Sequence, residues 1–155
     1  MKLKTKIVKV LEPVQADILF ETLYHGIEWE EGIRSKKGFT RLAKSIDYTM
    51  YPDLRIIIDN AIFLLRPNEV SSYAILGTYL NLYEDGNMWT PNHSHPKQHQ
   101  VVLSLGAERK LVIGKKEYVL KSGEAIIFGS SIHGVPKDTS IKKPRISVAT
   151  FMLPL

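Results

Sequence analysis

Two histidines separated by one residue, His93 and His95, stand in the stretch NLYEDGNMWTPNHSH. On an extended strand, residues i and i+2 point to the same face, so the pair offers two imidazoles to one metal ion. A third histidine, His133, follows in SIHGVPK, and the chain has five in all. It has no cysteine, which removes thiolate metal sites, disulfides and a cysteine nucleophile. Imidazoles and oxygens are the ligands left, a set that suits Fe, Zn, Cu, Ni or Mn. A lone histidine is usually structural or exposed. An HxH pair with a distant third histidine reads as a metal site made of His93, His95 and His133.

A second chemistry is anion binding. Arg145 begins the segment RISVATF, and its planar guanidinium matches a carboxylate through two parallel hydrogen bonds. Tyr83 can donate one more, and Asn81 can serve a second acid group. The plainer alternative pairs Arg145 with a surface acid. Strand parity favours a cavity. Arg145, Ser147, Ala149 and Phe151 share one face of an extended segment, while Ile146, Val148, Thr150 and Met152 share the other. Likewise Tyr79, Asn81 and Tyr83 oppose Leu80 and Leu82. The apolar faces belong against other elements. The remaining faces carry hydrogen-bonding groups, and a cation among them that is buried needs an anion.

These residues need a frame. Residues 2–10 alternate as an edge strand guarded by lysines. Residues 11–24 read as a helix with Pro13 in its first turn and a stripe of Val14, Ile18, Leu19 and Leu23, stopped by Gly26. Residues 28–51 read as irregular with a short strand or two, and their bases Arg34, Lys36, Lys37, Arg41 and Lys44 as a solvated face. Residues 52–65 form the clearest helix, with Leu54, Ile57, Ile58, Ala61, Ile62 and Leu65 at helical spacing. From residue 73 the pattern is β, with strands at 73–83, 99–105, 108–113, 117–120, 124–129 and 145–153. Gly106, Gly114-Lys115 and Ser122-Gly123 mark turns between them. Helices followed by a run of short antiparallel strands predict an α+β, mainly β fold. The expected architecture is a double-stranded β-helix, or jelly roll, with the two N-terminal helices packed on one sheet. The chain reads as a single domain, 1–155, with helical support at 1–70 and a metal and co-substrate core at 73–153.

At 155 residues and 44% apolar content the chain can bury a core of ordinary size. No apolar run has membrane-spanning length, and the opening MKLKTKIVKV lacks the apolar segment of a signal peptide. With no cysteine, the expected compartment is the cytoplasm. A net charge of +5 permits an anionic partner, though solubility alone accounts for it.

The segments NLYEDG, HSH, SLGAERKL, YVLKSGEAIIFGSSIHGVPK and PRISVATF, in this order over residues 73–153, resemble the catalytic core of the AlkB-like Fe(II)/2-oxoglutarate dioxygenases. The resemblance implies Fe(II) as cofactor and 2-oxoglutarate as co-substrate. His93 and His133 would be iron ligands. Arg145, helped by Tyr83, would clamp the distal carboxylate of 2-oxoglutarate, and Asn81 would contact its end nearer the iron. The implied reaction is oxidative decarboxylation to succinate and CO2 coupled to hydroxylation of a C–H bond. The implied substrates are alkylated bases in nucleic acid, protein side chains or another small anionic molecule. His95 stands where that family has an aspartate, so one negative charge is missing from the ligand set. The closing arginine of the family's last strand is also missing, and parity places Phe151 near its position.

The same histidines resemble a cupin pattern. His99 falls where a cupin carries its acid, Gly106 follows, and SGEAIIFGSSIHG is similar to the second cupin motif without its proline. A cupin site would use His93, His95, His99 and His133 together. Asn81, Tyr83 and Arg145, which a cupin does not need, separate the two readings. A third reading is a degenerate jelly roll that binds a metal or small acid without turnover.

Overall fold

A computed structural model of the chain describes residues 3–32, 34–35 and 38–155. Lys2 of the expected first strand, and Lys36 and Lys37 of the basic stretch, lie outside the described residues. The elements begin with strand β1 (Lys6–Lys9) and helix α1 (Pro13–Gly26). Four short strands follow, β2 (Glu30–Glu31), β3 (Arg34–Ser35), β4 (Gly38–Phe39) and β5 (Leu42–Ser45), before helix α2 (Pro52–Leu65). The β half comprises β6 (Tyr73–Tyr83), β7 (Thr90–His93), β8 (His99–Gly106), β9 (Arg109–Ile113), β10 (Lys116–Leu120), β11 (Glu124–Phe128), β12 (His133–Val135) and β13 (Arg145–Pro154).

Two antiparallel sheets face each other. The larger has the order β1-β11-β8-β13-β6-β5-β2, and the smaller β10-β9-β12-β7. β3 and β4 pair separately as a two-stranded ribbon. Both helices pack on the larger sheet, α1 against β8 and α2 against β1, β11 and β8. The architecture is therefore α+β, mainly β, a jelly roll with its two helices on one sheet.

Strand parity decides what each layer buries. Val101, Leu103 and Leu105 of β8, Ile146, Val148 and Met152 of β13, and Leu80 and Leu82 of β6 face the helices and form one core with Leu23, Leu54, Ile58, Ala61 and Leu65. The alternate residues face the smaller sheet. There Val102, Leu111, Ile113, Leu120, Ile126, Phe128, Val135 and Ala149 make a second core. Strands buried on both faces cannot alternate in polarity, which is why HQVVLSLG reads as an almost continuous apolar run.

Helix α2 buries Leu54, Ile58, Ala61 and Leu65, as its spacing predicts. Helix α1 does not present the expected stripe. Val14 and Ile18 are 70% and 63% exposed, and the buried residues are Ala16 and Leu23, flanked by half-buried Leu19 and Phe20. The reason is close approach. Gly106 has φ +85, and a Cβ there would meet the Phe20 ring at 2.9 Å. The β8–β9 turn and the ring of Phe20 fix the rotation of the helix, and the small side chain of Ala16 sits against Gly123, where an added Cβ would meet it at 3.4 Å. Charge alternation at the N-terminus behaves as expected, since β1 is the outer strand beside β11.

Candidate functional site

β12 lies between β9 and β7 in the smaller sheet. Its register sets His133 directly opposite His93, and the two rings come to 4.3 Å between centroids. His95 completes the group at 4.9 Å from the His93 ring and 5.6 Å from that of His133. One nitrogen from each of the three lies within 4.8 Å of the others. The strand expected to carry both His93 and His95 stops at His93. Pro96 follows, and Lys97 has φ 64. Those two residues turn the chain out of the sheet, so His95 reaches the group from the start of a loop. Its ring rests edge-on against Phe151 at 4.6 Å.

Backbone carbonyls choose the tautomers. The His93 Nδ1–H donates to the Pro91 carbonyl at 2.8 Å, and the His133 Nδ1–H donates to that of Ser131 at 2.9 Å. With Nδ1 protonated, each neutral ring carries its lone pair on Nε2, the atom a metal would take. Burial pushes the His133 imidazole down to about 4, and the neighbouring His93 and His95 add to the shift. His95 is lowered by burial and by His93. Both are neutral at pH 7 and need lose no proton to bind a cation.

A pocket runs from His93 and His133 into the space between the sheets, with a cavity of about 60 Å³. Arg145 closes it. This side chain is 1% exposed, Nε donates to Ser104 Oγ at 2.9 Å, and Nη1 is buried without a partner. Its Cζ lies 5.4 Å from the centre of the Tyr83 ring. Burial lowers its pKa, Tyr83 opposes the shift, and Arg109 adds to it. Tyr83 is buried, with its hydroxyl 2.6 Å from Thr90 Oγ1. Register aligns Arg145 with Tyr83 and Ser147 with Asn81 across β13 and β6. The Asn81 amide donates to Ser147 Oγ at 3.3 Å.

Three residues escaped the sequence reading. Arg41 was assigned to a solvated face, but it is half-buried and lines the pocket, donating from Nε to Asn81 Oδ1 at 2.8 Å. Its place depends on β5 pairing with β6, which no local pattern announces. Gln100 is 3% exposed with its amide 3.4 Å from His133 Nε2. It shares the inward face of β8 with Ser104, so a buried glutamine in an apolar run was a readable signal. Arg109, 2% exposed, donates to the carbonyls of Asp85, Met88 and Pro136 and thereby ties the turn before β7 to the segment after β12. His99 stands apart from the three histidines, its Nδ1 2.7 Å from the Tyr73 hydroxyl.

No family profile matches the sequence, and no curated protein matches it. Solved structures do. The non-haem α-ketoglutarate-dependent epimerase SnoN from nogalamycin biosynthesis superposes with a TM-score of 0.75 at 14% identity, over 99% of this chain and 78% of that one. The viral collagen prolyl hydroxylase of Paramecium Bursaria Chlorella virus-1 gives 0.67 at 11% identity, over 97% and 96%. OsALKBH1 gives 0.66 at 14% identity, over 97% and 98%. The chain shares the jelly-roll fold of these structures. Within this jelly roll, the three histidines sit on the smaller sheet and its following loop, and Arg145 on the central strand of the larger one. Among the described residues no helix is long and apolar enough to cross a membrane.

Proposed function

We propose that the protein is an Fe(II)/2-oxoglutarate-dependent dioxygenase whose metal is held by His93, His95 and His133. Arg145, with Tyr83, takes the distal carboxylate of the co-substrate, and Asn81 takes the end nearer the metal. The observation that carries this reading is Arg145. It is a fully buried cation with an unpartnered Nη1, no described acid pairs with it, and it faces a pocket whose other end presents imidazole lone pairs. A buried guanidinium needs an anion, and a slender dicarboxylate would supply one while reaching the histidines.

The donor set fits a divalent transition metal. Three neutral imidazoles suit Fe(II), and three protein ligands leave coordination positions for a 2-oxo acid and dioxygen. Bound there, Fe(II) would supply the oxidative chemistry, in which O2 and 2-oxoglutarate give succinate and CO2 and one oxygen atom enters a substrate C–H bond. The chain's own residues prepare for it. The carbonyls of Pro91 and Ser131 hold two imidazoles in the ligating tautomer. Arg41 accepts no rotation of the Asn81 amide, because it holds Oδ1 and so leaves the NH2 group towards Ser147 and the pocket. Val102, Leu111, Phe128, Val135 and Ala149 make the walls apolar, which limits water around the carboxylate. The cupin reading would need His99 beside the other three, and the Tyr73 hydroxyl holds it elsewhere.

The test is succinate formation from 2-oxoglutarate with Fe(II), ascorbate and O2, followed by NMR. Slow uncoupled turnover is expected, lost without iron and in His93→Ala. A chain that binds 2-oxoglutarate yet never yields succinate would be a binding protein. Base demethylation, which the AlkB-like resemblance implies, belongs to the same assay with a methylated oligonucleotide added. Stimulation of turnover would identify nucleic acid as a partner.

A further inference from the structure

The charges around the pocket do not balance. Among the described residues that line it there is no aspartate or glutamate, while Arg41 and Arg145 both do. The ligand set contributes no negative charge, because an imidazole stands where a carboxylate would. On the reading proposed above, a divalent metal and two guanidiniums bring four positive charges and 2-oxoglutarate brings two negative ones. Four minus two leaves two positive charges in a site walled by apolar side chains. Low-dielectric walls make such a surplus attract an anion strongly.

Arg41 is built to receive one. Its Nε and Nη1 are anchored on Asn81 Oδ1 at 2.8 Å and Thr40 Oγ1 at 3.0 Å, which fixes the plane of a fork that has five N–H donors in all. An apolar ledge leads from solvent to the same pocket. The Tyr79 ring, 46% exposed, meets the edge of Phe151 at 5.6 Å, and Phe151 in turn abuts His95. Phe151 lines the pocket together with Arg41.

We propose that the primary substrate is a small organic acid, its carboxylate seated on Arg41 and its apolar body laid against Phe151 and Tyr79. This rests on the co-substrate reading, since Arg145 must already be occupied by 2-oxoglutarate. The substrate then supplies the negative charge that the metal ligands lack.

The test uses Zn(II)-loaded protein, which does not turn over, saturated with 2-oxoglutarate. It is titrated by calorimetry with benzoate and with benzamide, its neutral counterpart of the same shape. Benzoate should bind more tightly by about tenfold or more, the value of a charge-assisted pair. Arg41→Gln should erase the preference, Arg41→Lys should keep part of it, and Tyr79→Ala should weaken both ligands alike. Equal binding of the two ligands overturns the proposal. So does failure of benzoate to bind the wild-type protein, a preference that survives Arg41→Gln, or displacement of 2-oxoglutarate by benzoate, which would place the acid on Arg145. A titration of the Zn(II)-loaded protein with 2-oxoglutarate alone, run before these, separates the two readings. If the wild-type protein does not bind it, the co-substrate reading fails, and this one falls with it.

Discussion

In the proposed metal site, three imidazoles differ from a set with a carboxylate by a full unit of charge, and His95 would carry that difference. His95→Asp should raise affinity for a divalent ion by about tenfold, because an anion next to the cation replaces a neutral dipole. Chelator competition would measure it. A fall in affinity would mean that the shorter aspartate, deprived of the Phe151 contact, does not reach. His133 makes a separate prediction for the metal-free chain. Its pKa of about 4 lies below the ordinary 6.5 because the folded protein buries it. Between those pH values the unfolded chain holds a proton that the native state refuses, so stability must fall as pH drops through this window. The loss should be on the order of 3 kcal/mol once the pH is below 4. His95 and His99, lowered by burial as well, act in the same direction. Urea unfolding at pH 7, 5.5 and 4 reads the slope, which should flatten in His133→Gln. An unchanged slope in that variant would assign the effect elsewhere.

The three-residue strand β12 holds His133 in place, and it does so because Gly134 has no side chain. A Cβ there would meet Asn92 Oδ1 at 2.4 Å and the Thr90 carbonyl at 2.9 Å, both on β7. Gly134→Ala must therefore push β12 away from β7 and carry His133 from His93. Metal affinity should drop by about tenfold or more while the fold survives, since the core between the sheets is untouched. Retained metal affinity, measured beside a thermal melt, would show that Asn92 alone moves. β12 was not legible as a strand, because three residues carry no period, whereas β7 was expected from the spacing of His93 and His95 and only its end at His93 was not. The long β6, β8 and β13 and helix α2 were legible, since apolar periodicity and turn glycines agree there. The site split along the same line. Parity along β6 and β13 placed Asn81, Tyr83 and Arg145 on one face, and register set Arg145 opposite Tyr83 and Asn81 opposite Ser147. Arg41 was illegible because its position is decided by a pairing between strands separated by the whole of α2. The rotation of α1 was missed for a related reason, since close contact at Gly106 outweighed the larger apolar side chains.

Across the whole molecule, the residue on which the proposed co-substrate site depends should weaken the fold that surrounds it. Arg145 is among the largest fully buried side chains, at the start of the central strand of the larger sheet, and its charge is compensated by one serine hydroxyl and the face of Tyr83. Replacing a buried ion pair by apolar side chains of similar volume is often neutral or stabilising, by about 1–4 kcal/mol, and a buried cation with no acid beside it has still less attraction to lose. Arg145→Met should therefore raise the stability of the ligand-free chain, although Ser104 loses its partner, and it should abolish co-substrate binding. In the wild-type protein, 2-oxoglutarate at about a hundred times its Kd should add about 2.7 kcal/mol, a rise of roughly 5–11 °C in Tm for a chain of this size. Arg145→Met should show no such rise. Thermal melts of both proteins with and without 2-oxoglutarate therefore give opposite signs in one experiment, with the variant more stable alone and the wild type more responsive to ligand. A variant that melts lower than the wild type without ligand would mean that Arg145 is there to hold the sheets together. A variant that still gains stability from 2-oxoglutarate would mean that the co-substrate binds elsewhere.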